Sequence, residues 1–301
     1  MKRSFFILVL MGLTLLAGVA LGNRYPFALK RIATMAGDVL LNRSHSIKSR
    51  DPDAVHLYKR PAEGKPLSLH VFNADANVRT VEPPVTIIFF HGGGWITGSA
   101  DIFYPHCTWL SSQGMDCITA EYRTTESHQT SPLHSVEDAK DAYAYVAKNA
   151  SLLGVNSSNA YVAGGSAGGQ IAAAISTADY PEFGMPKYYP QGVVLLATVI
   201  DNSVTGYGNE RIKFFGDRFS PLENLDEYFP RTLFILGDRD RFVPVDTAKE
   251  FVSRLERSGV DATLEVYSGG YHSFYMDAFF EETVQDIERW LIMDSACVSV
   301  C

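Results

Sequence analysis

The chain has 301 residues, of which 46% are hydrophobic and 20% charged, a globular balance that permits a large buried core in a single α/β unit. The formal net charge of −8 argues against a nucleic-acid partner, which needs clustered Lys and Arg to displace counterions. An acidic surface mainly implies solubility, as in most soluble enzymes.

Lys2 and Arg3 form a short basic region, followed by a charge-free apolar run from Phe5 to about Leu21. Small residues at Gly18 and Ala20, or at Ala20 and Gly22, have cleavage-site spacing, so residues 1–22 read as a secretion signal. The run also approaches the ~18-residue lower limit of a spanning helix, and an uncleaved anchor is the alternative. Secreted or periplasmic in the first case, membrane-anchored in the second, the body is expected outside the cytoplasm as one domain, 23–301.

Residues 23–53 lack clean alternation and are expected to form N-terminal helices. Val55–Arg60 and Leu67–Phe72 read as strands around the polar turn Ala62–Lys65. Val85–Phe90 is a continuous apolar run, the pattern of a strand buried on both faces. Cys117–Tyr122, Tyr161–Gly164, Val193–Thr198, Thr232–Gly237 and Ala262–Tyr267 read as further strands. Ser135–Ala150, an Ala-rich stretch through Ile175, Val245–Gly259 and Ala278–Met293 have helical spacing. Strands alternating with helices predict a mostly parallel central sheet with helices on both faces. Residues 199–230 are aperiodic and rich in Gly, Asn and Phe; a long excursion of this kind suits a small lid.

The four cysteines are Cys107, Cys117, Cys297 and Cys301. Cys107–Cys117 would join a helix to the next strand and Cys297–Cys301 would close a loop in the tail, while buried apolar thiols are the competing reading for the first two. Their spacing matches no zinc pattern, and no metal or organic cofactor is expected.

Gly164–Gly165–Ser166–Ala167–Gly168 follows a short apolar strand and opens a helix, the context of a nucleophile elbow. A sharp turn there would lift the Ser166 hydroxyl to the helix N-terminus, where partial positive charge favours a developing anion. His91–Gly92–Gly93–Gly94–Trp95 directly follows the buried strand ending at Phe90. A glycine triplet frees several backbone N–H groups to converge on one point, as an oxyanion hole requires. His91 precedes the serine and is read as holding that loop rather than as a base.

Of the eight histidines only His272 lies after Ser166, and it follows a predicted strand, where a general base reaches a serine at the sheet's C-terminal edge. Asp238 and Asp240 both follow the strand ending at Gly237. Either carboxylate would orient the imidazole; Asp240 is favoured, with a turn role for Asp238.

Together, His91–Gly94, Ser166 in its elbow, Asp240 in Gly-x-x-Asp and His272 in Gly-x-His-x-Phe resemble the hormone-sensitive-lipase-like branch of the α/β-hydrolases. They are also similar to the related bacterial esterase and kynurenine formamidase group. The resemblance spans about Val55 to Met293. It implies the α/β-hydrolase fold with a catalytic triad of Ser166, Asp240 and His272. It further implies an oxyanion hole from the amides of Gly93, Gly94 and Ala167, and a small-molecule carboxylic ester as substrate. The polar and charged residues of 199–230, among them Asn202, Asn209, Glu210, Arg211, Lys213, Asp217 and Arg218, argue against a large apolar lid and favour short to medium acyl chains. An amidase or formamidase with the same triad is the nearest alternative, and a non-catalytic binding protein of this fold is the second.

Overall fold

The computed structural model describes residues 49–75, 77–78, 83–180, 184–212 and 215–298. The expected signal or anchor, nearly all of the expected N-terminal helices, and the Cys297–Cys301 pairing lie outside the described residues. Residues 49–53 are irregular rather than helical. Pro52 has no N–H to donate, and Asp53 N donates instead to Val71 O at 2.8 Å, which leads the chain straight into the sheet.

Among the described residues, eight strands form one sheet: β1 (Ala54–Lys59), β2 (Leu67–Phe72), β3 (Thr86–Phe90), β4 (Asp116–Ala120), β5 (Ala160–Gly165), β6 (Gly192–Leu196), β7 (Arg231–Gly237) and β8 (Ala262–Tyr267). Their spatial order is β1-β2-β4-β3-β5-β6-β7-β8. β1 and β2 pair antiparallel, as do β2 and β4; every pair from β4 across to β8 is parallel. The unbroken apolar runs of β3 and β6 are buried at every position, as expected of strands covered on both faces. The edge strand β8 is part-exposed along its length.

Helices surround this sheet: α1 (Tyr104–Ser112), α2 (Thr125–His128), α3 (Pro132–Leu153), α4 (Ala167–Thr177), α5 (Asn209–Ile212), α6 (Val245–Arg257) and α7 (Phe280–Val298). α3 begins at Pro132, earlier than its apolar spacing suggests, because proline is preset for the first helical position. It buries Val136, Ala139, Ala142 and Val146. Every residue of α4 is buried, which its Ala-rich sequence allows in a tightly packed helix.

Two covalent or charged ties join distant parts of the chain. Cys107 on α1 and Cys117 on β4 form a disulfide with Cα atoms 5.1 Å apart. The fully buried Asp138 side chain of α3 binds Lys59 Nζ of β1 at 2.7 Å and Arg123 Nη2 at 2.7 Å. Two cations with hydrogen bonds to both oxygens offset the desolvation of that carboxylate.

Strand order decides where a site lies. The chain leaves β3 toward β4 on one side, then returns to β5 on the other and continues to β6. The crevice at the C-terminal ends of β3 and β5 is therefore a topological switch point, where α/β sheets bind ligands. In register, Phe90 of β3 sits beside Gly164 of β5. The segments that follow each strand, His91–Gly94 and Ser166, consequently emerge side by side.

Candidate active site

Ser166 joins β5 to α4 with φ 55° and ψ −121°, a conformation that is strained for any residue with a side chain. The surroundings over-determine it. Ser166 N donates to Leu196 O at 2.9 Å, and its carbonyl accepts from Gln170 N at 3.2 Å. The turn also demands close backbone approach: a Cβ on Gly168 would stand 2.0 Å from Phe90 O, so only glycine fits.

His272, in the loop after β8, and Asp240, in the loop after β7, meet this serine. Ser166 Oγ lies 2.8 Å from His272 Nε2, and His272 Nδ1 lies 2.8 Å from Asp240 Oδ2. The Asp240 side chain is fully buried. Its other oxygen accepts from Phe242 N at 2.8 Å and Val243 N at 3.0 Å, which locks the carboxylate. A carboxylate only accepts, so Nδ1 carries the proton and Nε2 is left to accept from the serine hydroxyl. Asp238 is exposed and turned away; its Oδ1 accepts from Gly269 N at 2.7 Å and closes the turn after β8.

The glycine loop abuts the serine. A Cβ placed on Gly92 would lie 3.3 Å from Ser166 Cβ. Gly93 has φ +118°, and a Cβ there would stand 2.1 Å from Thr97 O, so a side chain is excluded on both counts. Gly93 O accepts from Ile96 N at 3.0 Å and Thr97 N at 3.2 Å, and among the described residues the amides of Gly93, Gly94 and Ala167 have no backbone acceptor. Ala167 is the first residue of α4, where backbone N–H groups are unpaired and the helix dipole is positive.

His91 props the loop. It stacks on Tyr122 with centroids 4.1 Å apart, Tyr122 Oη donates to His91 O at 2.6 Å, and its Nδ1 lies 2.7 Å from Gly92 O. Burial pushes its imidazole down to about 4. Burial also pushes His106, enclosed by Phe89, Phe103, Tyr275 and Phe280, down to about 3. These shifts make acid a specific stress. Below about pH 6.5 the unfolded histidines bind protons that the native ones refuse, so stability falls as pH falls, by about 1.4 kcal/mol per unit for each group. Urea unfolding at pH 7.5, 6 and 5 is expected to show this decline, with uptake of about two protons from this pair near pH 5. A stability profile flat across that range would contradict it.

Several contacts around the site escape sequence reasoning. Gln170, buried on α4, accepts from Trp95 Nε1 at 3.2 Å and donates to Phe219 O at 3.1 Å. It thereby ties the glycine loop to the 199–230 excursion. A long polar side chain in the middle of an Ala-rich helix is the available signal. The excursion contains α5 and short turns at Gly216–Phe219 and Pro221–Glu223, more local structure than its aperiodic sequence suggests. Within it, Tyr207 packs on Trp95 and Phe242, and Phe242 packs edge-on against His272. Among the described residues, one group of carboxylates is close enough to share a cation: Glu137, Asp138 and Asp141. Lys59 and Arg123 already occupy it.

A family model for the alpha/beta hydrolase fold matches residues 87–218. Esterase LipC of Mycobacterium tuberculosis is 31% identical over 203 residues, covering 58% of this chain and 49% of that protein. An acetylxylan esterase of Xylanibacter ruminicola is 25% identical over 220 residues, covering 68% of this chain and 45% of that protein. The chain thus spans about half the length of these curated relatives. Among solved structures, a thermophilic esterase of the Planctomycetes species Thermogutta terrifontis superposes with a TM-score of 0.71 at 25% identity, covering 80% of this chain and 91% of that one. The form of that esterase phosphonylated by cyclosarin superposes with a TM-score of 0.72 at 26% identity, covering 81% of this chain and 95% of that one.

Proposed function

The chain is an α/β-hydrolase-fold protein, and from that premise we propose that it is a serine hydrolase that cleaves carboxylic esters of small molecules. The observation that carries this reading is the hydrogen-bonded series Ser166–His272–Asp240 beside a glycine loop at the sheet's switch point. Similarity to named esterases supports the ester as substrate.

In the first half-reaction Ser166 Oγ attacks the ester carbonyl while His272 Nε2 takes the hydroxyl proton. Asp240 stabilises the imidazolium that forms. Negative charge moves to the carbonyl oxygen, which the amides of Gly93, Gly94 and Ala167 receive; one such donor is typically worth about 2.7–4 kcal/mol in the transition state. The tetrahedral intermediate collapses, the C–O bond to the alcohol breaks, and His272 returns the proton to the departing alkoxide. In the second half-reaction water attacks the acyl-enzyme, its proton passes to His272, and Ser166 leaves as a hydroxyl, releasing the acid. All of the chemistry is assigned to side chains and backbone of this one chain.

Short to medium acyl chains suit the site because the 199–230 excursion carries charged residues such as Glu210, Arg211, Asp217 and Arg218 rather than a large apolar surface. The excursion itself is assigned the role of a small lid. The Cys107–Cys117 disulfide supports a domain working in an oxidising compartment outside the cytoplasm. Hydrolysis of p-nitrophenyl esters from acetate to palmitate tests the reading. Butyrate is expected to exceed palmitate in kcat/KM by at least about tenfold, with an initial burst of p-nitrophenol. A fluorophosphonate should label Ser166. Absence of both turnover and label would overturn the hydrolase reading; label without ester turnover would move the substrate to an amide or formamide.

A further inference from the structure

Arg211 is a cation that the proposed triad leaves unexplained. It lies at the rim of the site, on α5, half-buried. One guanidinium nitrogen donates to Gly94 O in the glycine loop, and the other donates to the exposed Thr125 Oγ1 at 2.7 Å. Its Cζ stands 5.8 Å from the Trp95 ring centroid. Guanidinium has five donors, so these bonds leave part of the fork unused.

Arg123 gives the contrast. That side chain is also largely buried, but Asp138 and Glu137 hold it, and these carboxylates raise its affinity for the proton despite desolvation. Among the described residues no carboxylate forms an ion pair with Arg211, and burial lowers its proton affinity, only partly offset by the nearby Tyr207 and Glu210. A desolvated cation with no directly paired carboxylate is unfavourable. The fold nevertheless holds one on the glycine loop that abuts Ser166.

The neighbours define the approach. The phenol oxygen of Tyr207 would lie 3.1 Å from a Cβ on Gly94. Its ring continues to Phe242, and Phe242 to His272. Arg211, Tyr207 and Phe242 therefore run from the rim to the general base, with one positive charge set among aromatic faces.

We infer that Arg211 receives a carboxylate carried by the substrate, so that esters bearing an anionic group are preferred over neutral esters of equal size. The inference rests on the esterase reading above and names its substrate class. Arg is suited to this because its planar fork matches a carboxylate in bidentate geometry.

The test compares kcat/KM for mono-p-nitrophenyl glutarate, with an acyl-side carboxylate, against neutral p-nitrophenyl valerate. A second pair, 4-butyryloxybenzoate against phenyl butyrate, places the carboxylate on the alcohol side. The unmodified protein and its Arg211→Met and Arg211→Lys variants are assayed on both pairs. The expected result is a preference of about 10- to 100-fold for the anionic member of one pair, carried mainly in KM. Arg211→Met should abolish that preference and Arg211→Lys should restore part of it. No preference in either pair, with neutral esters turned over, overturns the inference and leaves the esterase reading intact. An equal fall on anionic and neutral esters in Arg211→Met also overturns it, leaving Arg211 as a prop for the Gly94 loop. No turnover of any ester by the unmodified protein overturns both readings together.

Discussion

Replacing Ser166 with alanine is expected to lower kcat for p-nitrophenyl butyrate by about 10⁶-fold, as loss of the nucleophile does when a triad acts as a unit. The reason is local. The substitution deletes Oγ, the only atom of this residue that reaches His272, and leaves Cβ in place. The φ of 55° is held by backbone bonds to Leu196 and Gln170 that alanine retains, so near-UV circular dichroism should match that of the unmodified protein. Residual turnover over water would come from the oxyanion donors and substrate binding. A Ser166→Ala, His272→Ala double variant should be no slower than the single one, because the histidine has nothing to activate once the hydroxyl is gone. Retention of more than about 1% of activity in a folded Ser166→Ala protein would place the nucleophile elsewhere.

Asp240→Asn is expected to cost about 10⁴-fold in kcat with little change in fold. The amide oxygen can keep the bonds from Phe242 N and Val243 N. Its NH₂ group would then face His272 Nδ1 and donate to it. Nδ1 would become an acceptor, the proton would move to Nε2, and Nε2 could no longer accept from Ser166. Asp238→Asn is expected to change kcat/KM by less than about twofold, the usual scale of an exposed substitution, because an amide oxygen can still accept from Gly269 N. Steady-state kinetics on the two variants, side by side, decides which carboxylate serves the histidine. A large loss at Asp238 with none at Asp240 would reverse the assignment.

The two carboxylates also mark the boundary of what a linear reading resolves. Asp238 and Asp240 stand two positions apart after the same strand, and both have the right chemistry at the right edge of the sheet. The loop geometry separates them: one turns inward to His272 and the other outward to Gly269. The cysteines behave alike. Ten positions separate Cys107 from Cys117, and either a bond or two buried thiols suits the composition; packing of α1 on β4 brings their Cα atoms to 5.1 Å.

The sequence by itself determined the alternation of apolar strands with amphipathic helices, and hence a mostly parallel sheet, because burial on both faces writes a continuous apolar run into each central strand. It also marked Ser166, the glycine loop and His272, because a strained turn and converging amides demand glycine at fixed neighbouring positions and only one histidine follows the serine. It favoured Asp240 over Asp238, and the loop geometry shows Asp240 as the one that bonds His272. Only the tertiary structure decided the disulfide and the placement of Gln170, Tyr207, Arg211 and Phe242 around the site. The contacts of these four side chains at the site join residues dozens of positions apart, Arg211 to Gly94 being 117 apart. No local period records them: they arise where separate strands end at one edge of the sheet.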